Sequence, residues 1–469
     1  MTLATLPAAA VETHAPKTSP WPVFWVASVA AFLVSLDSTM LYSAFGALRA
    51  GFPEATAADM SWVLNAYTVV YAAMLIPAGG LADAHGRKRV FLFGVTLFLA
   101  ASAACGLAGS VGWLIAARVL QAVGAALLTP ASLSIVLAAF PQNKRALTVS
   151  LWGAVAGFAA AVGPSLGSFV IESVGWPWAF FINLPIGALS LWRGAALLSE
   201  SARSATRRKV DVVGMALLVV AVGAIALAIV ESESPAWTRS QLAVAAGTGV
   251  IAFVAFIVWA RGVREPLVDL GLFRHRTYSA VNAATLSFGI AFAMMFFAFF
   301  FYMSNVWHYS QAQAGLAIAP GPLTVIPVAI LTGRLAGRYG HRPFLVGGAL
   351  LYAAAGLWFM LVPGIEPSYV AHWLPGLFLS GISVGLVMPS LSGAAVSKLP
   401  AQHYAVGSAV NQATRQIGAV IGVAITVVLL GHGIVQRSDF DAVYGLHIGL
   451  ALLTAVLCLF VNTRPVARP

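Results

Sequence analysis

Long apolar blocks separated by short polar breaks fill the chain. Reading between charged residues and Gly/Pro breaks gives fourteen blocks, the first seven at about 22–45, 60–80, 89–109, 113–138, 147–171, 177–199 and 211–231. The other seven follow at 241–260, 277–303, 312–334, 344–362, 371–397, 405–431 and 442–462. Each is close to the ~20 apolar residues with which an α-helix crosses a bilayer. Membrane β-strands alternate apolar and polar residues, and these blocks do not. The pattern predicts an all-α polytopic membrane protein with fourteen transmembrane helices. Its loops are too short to hold a soluble domain, so any chemistry must lie within helices or tight turns.

Composition narrows the reading. Of 469 residues, 60% are hydrophobic and 9% charged, against about 25% charged in soluble domains. That excludes a soluble, disordered, collagen-like or coiled-coil chain. Cys105 and Cys458 both fall inside apolar blocks, which predicts two buried thiols rather than a disulfide. The net charge of +11 points to topology rather than to nucleic acid, because the cations cluster on one side. With a cytoplasmic N-terminus, twenty Lys and Arg residues fall inside, only Arg49, Arg239 and Arg437 fall outside, and Arg118, Arg193 and Arg415 lie within spans. This bias places both termini in the cytoplasm. No Asn-x-Ser/Thr sequon occurs, which fits a bacterial inner membrane. The apolar run after residue 21 is too long for a signal-peptide core, so no cleavage is expected.

The chain repeats itself. Residues 79–89 read G-G-L-A-D-A-H-G-R-K-R and residues 333–343 read G-R-L-A-G-R-Y-G-H-R-P. They stand between spans 2 and 3 and between spans 10 and 11. Each combines glycines for a sharp turn with cations suited to headgroups and helix C-termini. Duplicated halves are what rocking transporters are built from. The expected organisation is a tail (1–21), a six-helix half (22–199), a linker with two extra helices (200–276), a second six-helix half (277–462) and a tail (463–469).

The first turn, with Asp83, Gly86, Arg87 and Lys88, resembles the signature loop of the major facilitator superfamily. Four other segments resemble motifs of its fourteen-span drug/proton antiporter family: A-R-V-L-Q-A-V-G-A-A at 117–126, G-P-S-L-G at 163–167, W-P-W-A-F-F-I-N-L-P-I-G at 176–187 and N-Q-A-T-R-Q-I-G at 411–418. L-D-S-T at 36–39 matches the start of a further signature whose remainder is absent. Ala84, Ala122, Ala159, Ser168 and Pro177 depart from the family pattern. The resemblance covers the whole chain and implies a transporter of the major facilitator fold.

Asp37 is the one acid placed deep in a span. An ionised carboxylate at the bilayer centre costs about 2.5–3.5 kcal/mol on insertion scales, and such residues are functional by default. Desolvation favours the neutral form and a nearby cation the charged form. A carboxyl caught between them can take and release a proton. Arg118, in span 4, cannot lose its charge and needs a partner. It shares a helix face with Gln121, Ala125 and Thr129. These facts predict an Asp37–Arg118 relation, and the resemblance implies that it serves proton coupling. A fixed ion pair that orients two helices is the structural alternative. In span 13, Gly407, Asn411, Arg415, Gly418 and Gly422 share a face, suited either to close packing or to binding.

Asp37, Asn65, Tyr67, Gln121, Asn411 and Arg415 are the candidate substrate-binding residues, and Asn183 is a plausible cavity group. Asp83, Gly86, Arg87, Gly163 and Pro164 are the candidate gating residues, Pro164 because it removes a helix hydrogen bond. Prolines 320, 322 and 327 are expected to bend span 10. The aromatic residues of span 9 read more readily as lipid-facing than as a substrate wall. No metal-spaced cluster, phosphate loop or catalytic motif occurs, so no cofactor, metal or enzyme activity is expected. The expected function is export of small lipophilic compounds, with protons as the coupling ion and the bilayer as surroundings. An adaptor protein is an unproven partner. The alternative keeps the fold but carries one metabolite, peptide or lysolipid.

Overall fold

A computed structural model of the chain describes residues 19–55, 57–141, 144–200, 211–233, 237–400, 404–430 and 436–463. Several cations of the topology argument, among them Lys17, Arg203, Arg207 and Arg464, lie outside these residues. The first six long helices are α1 (Trp21–Gly51), α2 (Ala57–His85), α3 (Arg87–Gly106), α4 (Val111–Ala139), α5 (Arg145–Val174) and α6 (Asn183–Leu197). Then come α7 (Val212–Val230) and α8 (Arg239–Gly262). The last six are α9 (Arg276–Asn305), α10 (Pro320–Tyr339), α11 (Arg342–Leu361), α12 (Leu374–Val396), α13 (Tyr404–Leu430) and α14 (Phe440–Cys458).

Among the described residues, twelve helical stretches are long and apolar enough to cross a membrane. Helices α5 and α13 stand at the fifth and thirteenth apolar blocks and run 30 and 27 residues. Large apolar side chains such as Phe93, Trp192, Ile251 and Val244 face outward, as lipid allows and water does not. Inside the bundle lie polar side chains, including Asp37, Arg118, Gln121, Asn183 and Asn411.

The packing repeats as the sequence does. In the first six helices α1 meets α5 and α6, α2 meets α4, and α3 meets α4 and α6. In the last six α9 meets α13 and α14, α10 meets α12, and α11 meets α12 and α14. The two sets join along two seams, α2 against α13 and α5 against α10. Helices α7 and α8 pack on each other, and α7 leans on α2 and α13 beside one seam. The two duplicated turns share a backbone conformation too. Gly86 has φ +102° and Gly340 has φ +77°, a region in which L side chains are strained.

Proline shapes two blocks. The sixth is split into Trp178–Phe181 and α6, because Pro185 has no N–H to give the carbonyl one turn back. The tenth is split into Gln311–Ile318 and α10 at Pro320 and Pro322, whereas Pro327 stays inside α10. Span 9 differs from expectation. Phe288, Phe299 and Tyr302 are buried rather than lipid-facing. Phe299 lies 4.7 Å from Phe359 and 5.3 Å from Trp373, ring centre to ring centre. The reason is that α9 is flanked by α13 and α14, which turns these rings into the core of the second half.

Candidate functional site

Helices α1, α3, α4 and α6 bring one polar cluster into the apolar interior of the first half. Asp37 is 2% exposed and Arg118 1%. Arg118 Nη1 donates to Asp37 Oδ2 at 2.6 Å. The other carboxylate oxygen, Oδ1, accepts from Gln121 Nε2 at 2.8 Å and from Asn183 Nδ2 at 3.0 Å. Gln121 and Asn183 also donate to Ser102 Oγ, at 2.8 and 3.4 Å. Arg118 is held from three further sides. Its Nε donates to the Val63 carbonyl at 3.2 Å, its Nη1 to Gln121 Oε1 at 2.6 Å, and its guanidinium lies 4.1 Å from the centre of the Tyr67 ring. Two opposite charges thus share a buried site with several hydrogen bonds to each, the condition under which a buried ion pair is tolerated.

The predicted Asp37–Arg118 relation is a direct ion pair. Gln121, expected to contact substrate, is hydrogen-bonded to both members of the pair. Ser102 was not singled out, because one serine in the run L-F-L-A-A-S-A-A-C-G looks like a small packing residue. The side chain of Asn65 lies outside the described residues.

A second polar group stands at the α2–α13 seam. Tyr67 stacks on Tyr71 with ring centres 5.8 Å apart. The Tyr71 hydroxyl donates to Thr129 Oγ1 at 3.1 Å and interacts electrostatically with Arg415. Arg415 Nη2 donates to Gln412 Oε1 and Nη1 lies 3.7 Å from Met388 Sδ. Its Nε is buried without a hydrogen-bond partner, while the side chain as a whole is half-buried. Asn411 turns elsewhere. It donates to Thr285 Oγ1 at 2.8 Å and Asn282 Oδ1 at 3.4 Å on α9. Gly418 and Gly422 press against the α9 backbone near Ile290. The shared face of span 13 is therefore mainly a packing seam, from which the Arg415 guanidinium leans away.

Residues 27–423 match the family model of the Major Facilitator Superfamily. The chain belongs to that superfamily. It is similar to the multidrug resistance protein Stp of Mycobacterium tuberculosis, 34% identical over 397 residues that cover 84% of this chain and 73% of that protein. The tetracenomycin C resistance and export protein of Streptomyces glaucescens is 31% identical over 413 residues, 88% of this chain and 76% of that one. The multidrug export protein EmrB of Escherichia coli is 30% identical over 408 residues, 86% and 78% of the two chains. Among solved structures, the human organic anion transporter MFSD10 superposes with a TM-score of 0.69 at 16% identity, covering 94% of this chain and all of that one, a likeness of fold. The protein is a multi-pass membrane transporter of the Major Facilitator Superfamily and not an enzyme.

In this transporter the duplicated basic turns gather at one end of the bundle, beside residues that tie the halves together. Asp83 Oδ1 takes a hydrogen bond from Arg87 at 3.2 Å, and its Oδ2 accepts from the backbone N–H of Val406 at 3.3 Å. Val406 is in the first turn of α13, where unpaired N–H groups and the helix dipole favour an anion. Asp83 thus links the first half to the second. A second tie was not legible in the sequence: Arg145 Nη1 donates to Tyr404 Oη at 2.6 Å. The Gly86 turn is backed by Glu200, which accepts from the Lys88 N–H at 3.2 Å. Gly163 does more than permit a bend. A Cβ there would stand 1.9 Å from Thr39 Oγ1, so α5 can approach α1 two residues from Asp37 only at a glycine. The Pro164 side chain lies outside the described residues.

Asp83→Asn keeps an acceptor for Val406 but removes the charge. A charge at a helix N-terminus contributes about 0.3–1 kcal/mol, roughly a two- to fivefold effect. Turnover in proteoliposomes is expected to fall by about that factor while cargo affinity stays unchanged. Unchanged turnover, or a change confined to affinity, would contradict a gating role.

Proposed function

We propose that the protein is a fourteen-span secondary transporter of a bacterial inner membrane that exports small lipophilic compounds in exchange for protons. The observation that carries this reading is the Asp37–Arg118 cluster. Asp37 and Glu231 are the buried acids among the described residues, and Glu231 stands at the end of α7, whereas Asp37 is deep within α1. A carboxylate there is retained at a cost of about 2.5–3.5 kcal/mol unless it does something. Its position beside the α1–α5 contact suits a group whose charge is read by moving helices. The resistance and export proteins to which the chain is similar support a drug-like cargo.

The cycle follows from charge. With its interior open to the cytoplasm, the carrier holds Asp37 ionised on Arg118, and cargo enters between the halves, where Arg415 offers a cation. Asn411 and Gln121 act behind this surface, holding α13 to α9 and Arg118 to Asp37. With the interior open to the outside, a proton neutralises Asp37, loosens its hold on Arg118 and favours release of cargo. The neutral carboxyl lowers the cost of the return, and the proton leaves inside. On this reading the halves are 22–199 and 277–462, with α7 and α8 inserted between them. An adaptor protein is not needed for this cycle.

Both termini belong in the cytoplasm on this reading. Reporter fusions after residues 140, 205 and 400 should report inside, and fusions near 235 and 366 outside. Reversed labelling at 235 would mean that α7 and α8 do not form a crossing pair.

Asp37→Asn imitates the protonated state permanently. The variant should insert normally, because Arg118 keeps the Val63 carbonyl, Gln121 and the Tyr67 ring. It should lose pH-driven, uphill transport and keep downhill exchange of neutral cargo. Uptake into liposomes with and without a pH gradient, wild type beside variant, decides the matter. A variant that still concentrates cargo on the pH gradient alone would falsify the assignment.

A further inference from the structure

Around Asp37 the structure has donors on every side, and a protonated carboxyl needs an acceptor. Oδ2 is held by Arg118 Nη1 at 2.6 Å, a group that can only donate. A proton on Oδ1 leaves that contact in place. There it meets the amide nitrogens of Gln121 at 2.8 Å and Asn183 at 3.0 Å. One amide has to turn its oxygen toward the new O–H.

Gln121 is not free to turn. Its Oε1 accepts from Arg118 Nη1 at 2.6 Å and lies 3.9 Å from the Cys105 thiol. Reversing it would set an NH₂ group against a guanidinium and a thiol. Asn183 differs. It is fully buried, and its Oδ1 has no hydrogen-bond partner. A buried amide oxygen left unpaired is costly, so this is an unusual arrangement for a residue with only a structural role. The charged and titratable groups facing the cluster are Arg118 from α4, Tyr67 from α2 and Cys105 from α3. At this depth the described residues of α1, α5 and α6 add none but Asp37 itself.

We propose that Asn183 is the acceptor for the coupling proton: a positioning residue whose side-chain amide donates to ionised Asp37 and, after a half-turn about its terminal bond, accepts from the protonated carboxyl. This rests on the reading of Asp37 as the coupling group. No covalent bond changes. A proton from water binds Oδ1, the Nδ2–Oδ1 hydrogen bond breaks, and an O–H···O bond to Asn183 replaces it. Ser102 Oγ, now an acceptor from Asn183 at 3.4 Å and Gln121 at 2.8 Å, keeps its Gln121 partner throughout. The swap gives the protonated state a hydrogen bond that the geometry otherwise denies it. It also transmits the change to the first residue of α6.

Infrared difference spectroscopy on the full-length protein in lipid films, with asparagine side chains ¹³C-labelled, reads this directly. On acidification a carboxylic-acid band of Asp37 should appear together with a shift of one asparagine amide band, and both should be absent from Asp37→Asn. A carboxylic-acid band with every asparagine band unmoved overturns the proposal and leaves Asp37 as the coupling group. No carboxylic-acid band at all overturns both. In proteoliposomes, Asn183→Leu removes donor and acceptor at nearly constant shape. It should lower cargo-driven proton release roughly two- to tenfold, the scale of one hydrogen bond between neutral groups. Asn183→Ser, whose hydroxyl can both donate and accept, should restore most of the release. A leucine variant that releases protons like wild type, or a serine variant that fails as the leucine one does, contradicts the proposal.

Discussion

A charge taken out of water must be neutralised where it lies. In this protein that constraint acts at Asp37 and Arg118, two charges within the apolar interior of the first six helices. Their ion pair, 2.6 Å long, joins α1 to α4. Each side chain offsets much of the other's desolvation cost, as a well-hydrogen-bonded buried pair must. Ser102, Gln121, Asn183, the Val63 carbonyl and the Tyr67 ring complete the enclosure. Helices α2, α3 and α6 are thereby committed to the same point. A proton is the smallest change able to undo this balance, which is why a site of this kind suits coupling better than passive support.

The rest of the bundle places that site where a change in it can be felt. Helix α1 carries Asp37 and meets α5 at Gly163, and α5 in turn forms one of the two seams with the second half. Helix α2 carries Tyr67 beneath Arg118 and forms the other seam, against α13, the helix of Arg415. At the basic end, Asp83 and Arg145 tie the halves through the first turn of α13. The proton site therefore lies one helix away from both seams. Small rearrangements at Asp37 act on contacts that hold the halves in one arrangement, without any need for cargo to touch the carboxylate.

Much of this was legible in the sequence, for physical reasons. Apolar blocks of bilayer length announce helices, and a lone acid in such a block stands out against the cost of burying it. Arg118 followed because it needed a partner and Asp37 was the one acid at that depth. The duplicated turn was visible because glycine at positive φ has few substitutes, as Gly86 and Gly340 show. Partnerships set by side-chain direction were not legible. Asn411 and Arg415 are one helical turn apart, yet one faces α9 and the other the seam. Gln121 carried no mark that it would bond Asp37 and Arg118. Ser102, Tyr404 and Glu200 are common residue types in unremarkable runs, and only the fold brings them to their partners. The aromatic residues of α9 give no sign of their burial, because composition alone cannot tell lipid from a buried helix seam.

The central claim is that binding of cargo and of a proton are linked through Asp37. Linkage requires that cargo displace the proton from the purified protein in the absence of any membrane gradient. The direct measurement is proton release into weakly buffered detergent solution, followed with a pH-indicating dye as a transported compound is added. The account predicts release approaching about one proton per chain at a pH where Asp37 is largely protonated, falling to zero as the pH rises, with no release at any pH from Asp37→Asn. Equal release from wild type and variant would contradict it, and the coupling proton would then have to be sought on another group.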